Sequence, residues 1–283
     1  MFDISKLYQD YSSLKALGIK DPLFKMLIEL SNNKKNGEED LFIVEGLWAY
    51  EKLIKGNVKI EAFVFCPEFI KSTLMVGMVN SIVDLTEKTY IISPKICERL
   101  SSQDHSEGFF LLCRLPVYKM RDIRLNCNNL LVVLDGIEQA GNIGTIIRSV
   151  DGAGGDAVVL CNSKVRRNNS KLIKATMGAC FTMPVIQADK NEIVQWLLEQ
   201  NFKIVLTELT AQKSYFDIDY SGRIAIVAGN EIHGVSKLWH SQPCEKVIIP
   251  MLGGVDSLNV GIATTLVTYE ASMRQKGFIK RSS

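Results

Sequence analysis

The residues best suited to chemistry gather in three short runs. The first, DGIEQAGNIGTIIR over 135–148, sets Asn142 between Gly141 and Gly144 and places Arg148 one helical turn past Gly144, pointing back toward the loop. The second, GNEIHG over 229–234, carries Glu231 beside Asn230 and His233. The third, VIIPMLGGVDSLNVGIATTLVTYE over 247–270, reads as a buried strand entering a glycine-rich polar loop that opens an apolar helix. Gly253 and Gly254 let backbone approach a ligand closely, while Asp256, Ser257, Asn259 and the helix's free N-terminal amides face it. A carboxylate at a strand end can hold a cation or a hydroxyl, and a guanidinium can hold a phosphate. A triphosphate loop of the G-x-x-x-x-G-K-[ST] kind needs a lysine, and the third run has neither Lys nor Arg.

Other chemistries fit less well. Gly152, Gly154 and Gly155 lie close together, but they end a helix and precede a strand, so they read as helix C-caps and fail the dinucleotide fingerprint. His233 has an imidazole suited to proton transfer, yet no nucleophile or G-x-S-x-G elbow pairs with it, so it reads as a turn histidine. The 7 cysteines show no C-x-x-C pair, and with 3 histidines no metal-ligand spacing emerges; free buried thiols and no metal are expected. The run SKVRRNNSKLIK over 163–174 holds Lys164, Arg166, Arg167, Lys171 and Lys174 without an acid, which suits contact with RNA phosphates as well as a solvated helix face.

The elements that must position these runs form an α/β pattern. From Leu130 onward come strand LLVVLD, helix Ile143 to Ala153, strand AVVLC, helix Ser170 to Gly178 and strand FTMPVI; strands KIVLTEL, RIAIVAG and KVIIP follow. Apolar runs of this kind, spaced by helices, suit a parallel sheet covered on both faces, and ligands of such sheets bind beyond the carboxyl ends of the strands. All three chemical runs follow strands. Before residue 116 the chain reads as a smaller mixed domain: an opening helical region, a polar break from Ser31 to Asp40, LFIVEGLWAYEKLIKG as strand into helix, then strands IEAFVFC and TYIIS. The expected organisation is therefore a domain over 1–116, a linker over 117–129 and a second domain over 130–283.

Composition agrees with a globular protein: 283 residues, 47% apolar, 23% charged, formal net charge +2. The opening MFDISKLYQDYSS has no apolar core of signal-peptide type, and the long uncharged runs are broken by Pro250, Gly253, Gly254 and Asp256. A cytoplasmic location with no membrane span is expected.

Taken together, DGIEQAGNIGTIIRS, VAGNEIHGV and IIPMLGGVDSLNVGIA resemble, in order and spacing, the three signature motifs of SpoU-type (TrmH-like) RNA 2'-O-methyltransferases of the SPOUT superfamily. FIVEGLWAYEKLI, with Glu45 and Gly46, resembles the ribosomal-protein-L30e-like substrate-binding domain that many members carry. The resemblance implies a C-terminal domain with a deep trefoil knot, bent S-adenosylmethionine among the knotted loops, and a homodimer through that domain whose active site the partner completes. On matching positions it implies cofactor contacts at Thr207, Gly229, Ile249, Pro250, Met251, Ser257 and Leu258, and a catalytic set of Asn142, Arg148, Glu231, Ser257 and Asn259. Lys34, Lys35, Glu45, Arg148, Arg166, Arg167 and Lys171 are the expected RNA contacts, with ribosomal RNA preferred over transfer RNA. A transfer-RNA methyltransferase or a non-catalytic RNA-binding protein that keeps the fold is the alternative. This sequence departs from the motifs at Glu138–Gly141, where Asp-Pro is frequent, and at Gly261, where a serine is usual.

Overall fold

The computed structural model describes residues 11, 14–34, 40–101 and 106–279. The chain divides into two compact units, residues 1–116 with 168–170, and residues 117–167 with 171–283.

The first unit is built on a 5-stranded mixed sheet ordered β1-β4-β3-β5-β2, from β1 Lys15–Ala16, β2 Leu41–Glu45, β3 Lys59–Phe65, β4 Thr89–Ile91 and β5 Phe109–Arg114. Helices α1 Pro22–Ser31, α2 Trp48–Lys55, α3 Thr73–Val83 and α4 Pro94–Leu100 alternate with the strands. Asp21 caps α1 by accepting from Leu23 N (2.9 Å), and Pro22 opens the helix, where its missing N–H costs nothing. Strand β5 lies between β3 and β2 and is antiparallel to both; the alternation of strands and helices read from the sequence does not include it.

The second unit carries a 7-stranded, all-parallel sheet ordered β10-β12-β9-β11-β6-β7-β8. Its strands are β6 Asn129–Asp135, β7 Ala157–Cys161, β8 Val185–Gln187, β9 Lys203–Thr207, β10 Lys213–Ser214, β11 Arg223–Gly229 and β12 Cys244–Ile248. Every residue of β6 and β7 is buried, as a central parallel strand covered on both faces requires. Helices α5 Ala140–Ala153, α6 Ser170–Thr176, α7 Ala179–Thr182, α8 Lys190–Glu199, α9 Lys237–His240 and α10 Val260–Gln275 complete the unit. Ile143, Ile146, Ile147 and Val150 form the buried stripe of α5 at helical spacing, and Gly154 ends it in the left-handed conformation (φ +68°). Small buried residues of α10, Gly261, Thr264, Thr268, Ala271 and Ser272, let it pack closely on α5, and Ser272 Oγ donates to Ala153 O.

Several boundaries differ from the sequence reading. FTMPVI is not one strand: Phe181 and Thr182 belong to α7, and only Val185–Gln187 pairs, because Met177 and Gly178 take positive φ and turn the chain before Pro184. Helix α6 likewise stops at Thr176. The segment read as a linker packs into the second unit, where Met120 and Ile123 are buried in its core.

Candidate active site

Strands β9, β11, β12 and β6 end on one side of the sheet, and the chain beyond each of them turns over a cavity of about 700 Å³. Thr207 ends β9 and Glu208 follows it; Gly229 ends β11 and the lining continues to Val235; Ile249, Met251 and Ser257 to Asn259 follow β12 and lead into Val260 at the start of α10; Gln139 precedes α5 and Asn142 lies in its first turn. All of these belong to the second unit.

The loop after β11 is fixed by one side chain. Asn230 Oδ1 accepts from Ile232 N (2.9 Å) and His233 N (3.0 Å), and its Nδ2 donates to Gly136 O (2.9 Å). The loop then returns so tightly that a Cβ on Gly229 would lie 2.2 Å from Gly234 C. Only glycine allows that approach. Beneath it, buried Asp135 accepts from Asn162 Nδ2 (2.6 Å) and Ser236 N (2.8 Å), joining the ends of β6 and β7 to the turn after the loop.

A polar relay crosses the three runs. Asn142 Nδ2 donates to Glu231 Oε1 (2.9 Å), Asn259 Nδ2 donates to Asn142 Oδ1 (3.1 Å), and Asn259 Oδ1 accepts from Gly261 N (2.9 Å) as the N-cap of α10. Residues 89 and 117 positions apart along the chain thus meet on one asparagine.

Of the expected cofactor contacts, Thr207, Gly229, Ile249, Met251, Ser257 and Leu258 line the cavity. Pro250 does not; it is exposed between two lining residues. Of the expected catalytic set, Asn142, Glu231, Ser257 and Asn259 line it, and Arg148 does not. Six residues beyond Asn142 on the same helix, Arg148 sits roughly 9 Å along the axis and about 120° round from it, and it is exposed. Among the described residues no Lys or Arg lines the cavity, and His233 and His240 do. Thr207 Oγ1 donates to Val227 O (3.3 Å).

Among the expected RNA contacts, Arg166 and Arg167 are half-buried on the loop after β7, and Arg167 Nη1 donates to Val185 O (3.4 Å). Lys171 on α6 and Lys34 after α1 are exposed, whereas half-buried Glu45 accepts from Ser101 Oγ; Lys35 lies outside the described residues. No helix among the described residues is long and apolar enough to cross a membrane, and no group of three His, Cys, Asp or Glu there is disposed to hold a metal.

Among the lining residues that the sequence reading does not single out are two ionisable ones: Glu208, only 12% exposed, and His240, whose Nε2 stands 3.2 Å from Glu208 Oε1. Nothing in the local sequence marks them, since neither lies in a glycine-bearing run.

An all-parallel sheet whose cavity is walled by glycine-bearing loops and backed by α10 on α5 is the architecture of the SPOUT methyltransferases. An RNA 2'-O ribose methyltransferase superposes with TM-score 0.77 at 26% identity, covering 93% of this chain and 99% of that one. The SpoU methyltransferase AviRb from Streptomyces viridochromogenes shares the fold, with TM-score 0.82 at 21% identity over 91% of this chain and 99% of that one. The chain belongs to the SpoU rRNA Methylase family, whose model matches residues 129–269. Among curated relatives, the 23S rRNA (guanosine-2'-O-)-methyltransferase RlmB of Pectobacterium atrosepticum is 34% identical over 165 residues, 56% of this chain and 67% of that protein. The 23S rRNA (guanosine(2553)-2'-O)-methyltransferase RlmP of Bacillus subtilis is 27% identical over 85% of this chain and 92% of its own length.

Proposed function

We propose that the protein is an S-adenosylmethionine-dependent methyltransferase that modifies a ribose 2'-hydroxyl of ribosomal RNA. The single observation that carries this reading is the relay Glu231–Asn142–Asn259, which ties all three family motifs into one wall of one cavity. The relatives RlmB and RlmP are named as 23S rRNA 2'-O-methyltransferases, which favours ribosomal over transfer RNA.

The cavity fits the cofactor. Gly229 lets the loop after β11 fold back and wall the cavity, Ile249 and Leu258 supply apolar lining, and about 700 Å³ holds a nucleoside-sized ligand. When bound, S-adenosylmethionine supplies an activated methyl group on a sulfonium. The chain's own share is mostly alignment, which is worth roughly 7–11 kcal/mol when reactants are well oriented. Glu231 holds Asn142 in one amide orientation, and Asn259 anchors α10 against it. Arg148 binds the target phosphate and stabilises developing alkoxide charge through its planar, positively charged fork.

Because Arg148 lies off its own chain's cavity, it serves the site of the partner in a homodimer. Exposed apolar residues suit such an interface: Leu252 (98% exposed) and Ile232 (83%) at the cavity rim, with Ile262, Leu266 and Tyr269 along α10. The family's trefoil knot, an L30e-like role for the first unit in gripping RNA, and phosphate contacts from Arg166, Arg167 and Lys171 belong to the same proposal.

Incubation with tritiated S-adenosylmethionine and separated ribosomal and transfer RNA tests it. Label in ribosomal RNA is expected from the wild type. Arg148→Ala should lose most turnover and keep cofactor affinity; normal turnover in that variant refutes its role, and RNA binding without label from the wild type points to a binding module.

A further inference from the structure

Glu208 has no part in the scheme above, yet it is the most enclosed carboxylate of the cavity wall. Its backbone N–H donates to Val247 O (2.9 Å), extending the pairing of β9 with β12 by one residue, so its position is set by the sheet. Its side chain is 12% exposed. Oε1 is buried and makes no hydrogen bond, although His240 Nε2 stands 3.2 Å away; Lys246 Nζ lies 3.8 Å from Oε2. A buried acceptor left without a donor is costly, and a ligand that brings donors to it recovers that cost on binding.

The sheet says which part of a ligand this is. The order β12-β9-β11-β6 separates β9 from β6 by two strand spacings, roughly 10 Å. Glu208 therefore faces a portion of the ligand remote from Asn142 and from the reacting group. Charge narrows the choice further. His240 and Lys246 already flank the carboxylate, so a ligand ammonium would meet a like charge from Lys246, whereas neutral hydroxyl donors would not. Two carboxylate oxygens accepting from two adjacent hydroxyls satisfy both groups at once.

Building on the methyl-donor reading above, we propose that Glu208 is the specificity-determining acceptor for the vicinal ribose hydroxyls of the nucleoside bound in this cavity. It selects a ribonucleoside over a deoxyribonucleoside, and His240 and Lys246 hold its carboxylate in place.

Calorimetry with full-length protein and three ligands tests this: S-adenosylhomocysteine and its 2'-deoxy and 3'-deoxy analogues. The wild type is expected to bind each deoxy form about 10- to 100-fold more weakly than the parent, the loss expected for a hydrogen bond to a charged group. Glu208→Ala should weaken the parent by a similar factor and bind all three alike, with Glu208→Gln in between. Equal wild-type affinities for the three ligands, or a Glu208→Ala protein that still discriminates among them, would overturn the assignment. A wild type that binds none of them overturns the methyl-donor reading as well, which separates the two failures. Should Glu208→Ala fail to fold, the wild-type ratios alone decide.

Discussion

Replacing Gly229 by alanine tests the cavity's construction directly. The added Cβ would stand 2.2 Å from Gly234 C, 2.3 Å from Val235 N and 2.4 Å from Gly234 O, where carbon atoms normally keep about 3.5 Å. These are backbone atoms, so no rotamer change relieves the clash. Nor can the backbone drift freely: Asn230 N donates to Gly234 O (3.0 Å), Gly234 N donates to Asn230 O (2.9 Å), and Ser236 N is tied to Asp135 (2.8 Å). Overpacking costs about 1–3 kcal/mol, and a pinned backbone puts this case near 3. For a unit of this size that lowers Tm by about 6–12 °C. Displacement of the loop should also weaken S-adenosylhomocysteine by at least about tenfold. Scanning calorimetry and titration calorimetry read the two effects. A Tm within about 2 °C of wild type together with unchanged affinity would show that the return of the loop over Gly229 is not what shapes the cavity.

Helix α5 offers an internal contrast: a Cβ on Gly144 would meet Ala175 Cβ at 2.4 Å and Leu172 O at 2.9 Å, while one on Gly141 meets nothing within 4 Å. Urea denaturation should show Gly144→Ala losing about 1–3 kcal/mol and Gly141→Ala losing nothing or gaining up to about 1; equal effects would refute the packing. Asn142→Asp sets a carboxylate against Glu231, so it should lower Tm and ligand affinity more than Asn142→Ala, and Glu231→Gln should restore part of the loss. No rescue would mean that the relay is not what holds Asn142. Hydrogen bonds from Ser221 Oγ and N, then Lys203, hold the Asp219 carboxyl down to about 2 from 3.8. A lowered folded-state value stabilises above pH 3.8 and is lost as pH falls toward 2. With the side chain 53% exposed the term stays under about 1 kcal/mol, and Asp219→Asn should flatten the acid loss of stability; an unchanged slope refutes it.

What was legible in the sequence follows from how the signals arise. Central strands such as β6, β7 and β11 are buried on both faces, so their apolar runs announce themselves. The three motifs name Asn142, Glu231, Ser257 and Asn259, and the cavity gathers all four. Strand β5 went unread because FFLLC follows a short polar break with no turn dipeptide, and an unbroken apolar run carries no periodicity to separate strand from helix. Arg148 stands outside the cavity because Asn142 is itself helical: α5 begins at Ala140, before the expected Ile143, and six residues along it turn Arg148 about 120° from Asn142. Glu208 carries no local mark because its neighbours come from distant chain: Lys246 through the pairing of β12 with β9, and His240 from the end of helix α9.

The relay gives Glu231 a defined structural contact. Its Oε1 accepts from the amide of Asn142, whose own Oδ1 accepts from Asn259, whose Oδ1 in turn caps α10. Each amide is thereby locked in one sense: reversing Asn142 would set its oxygen against the carboxylate and its NH2 against the NH2 of Asn259. The carboxylate terminates the chain and fixes its polarity, and the helix cap fixes the other end. Among the described residues, no Lys or Arg lines the cavity. Arg148, the cation of the first motif, stands exposed on α5 outside the cavity, so the Arg148→Ala turnover assay proposed above tests a residue that the relay does not hold.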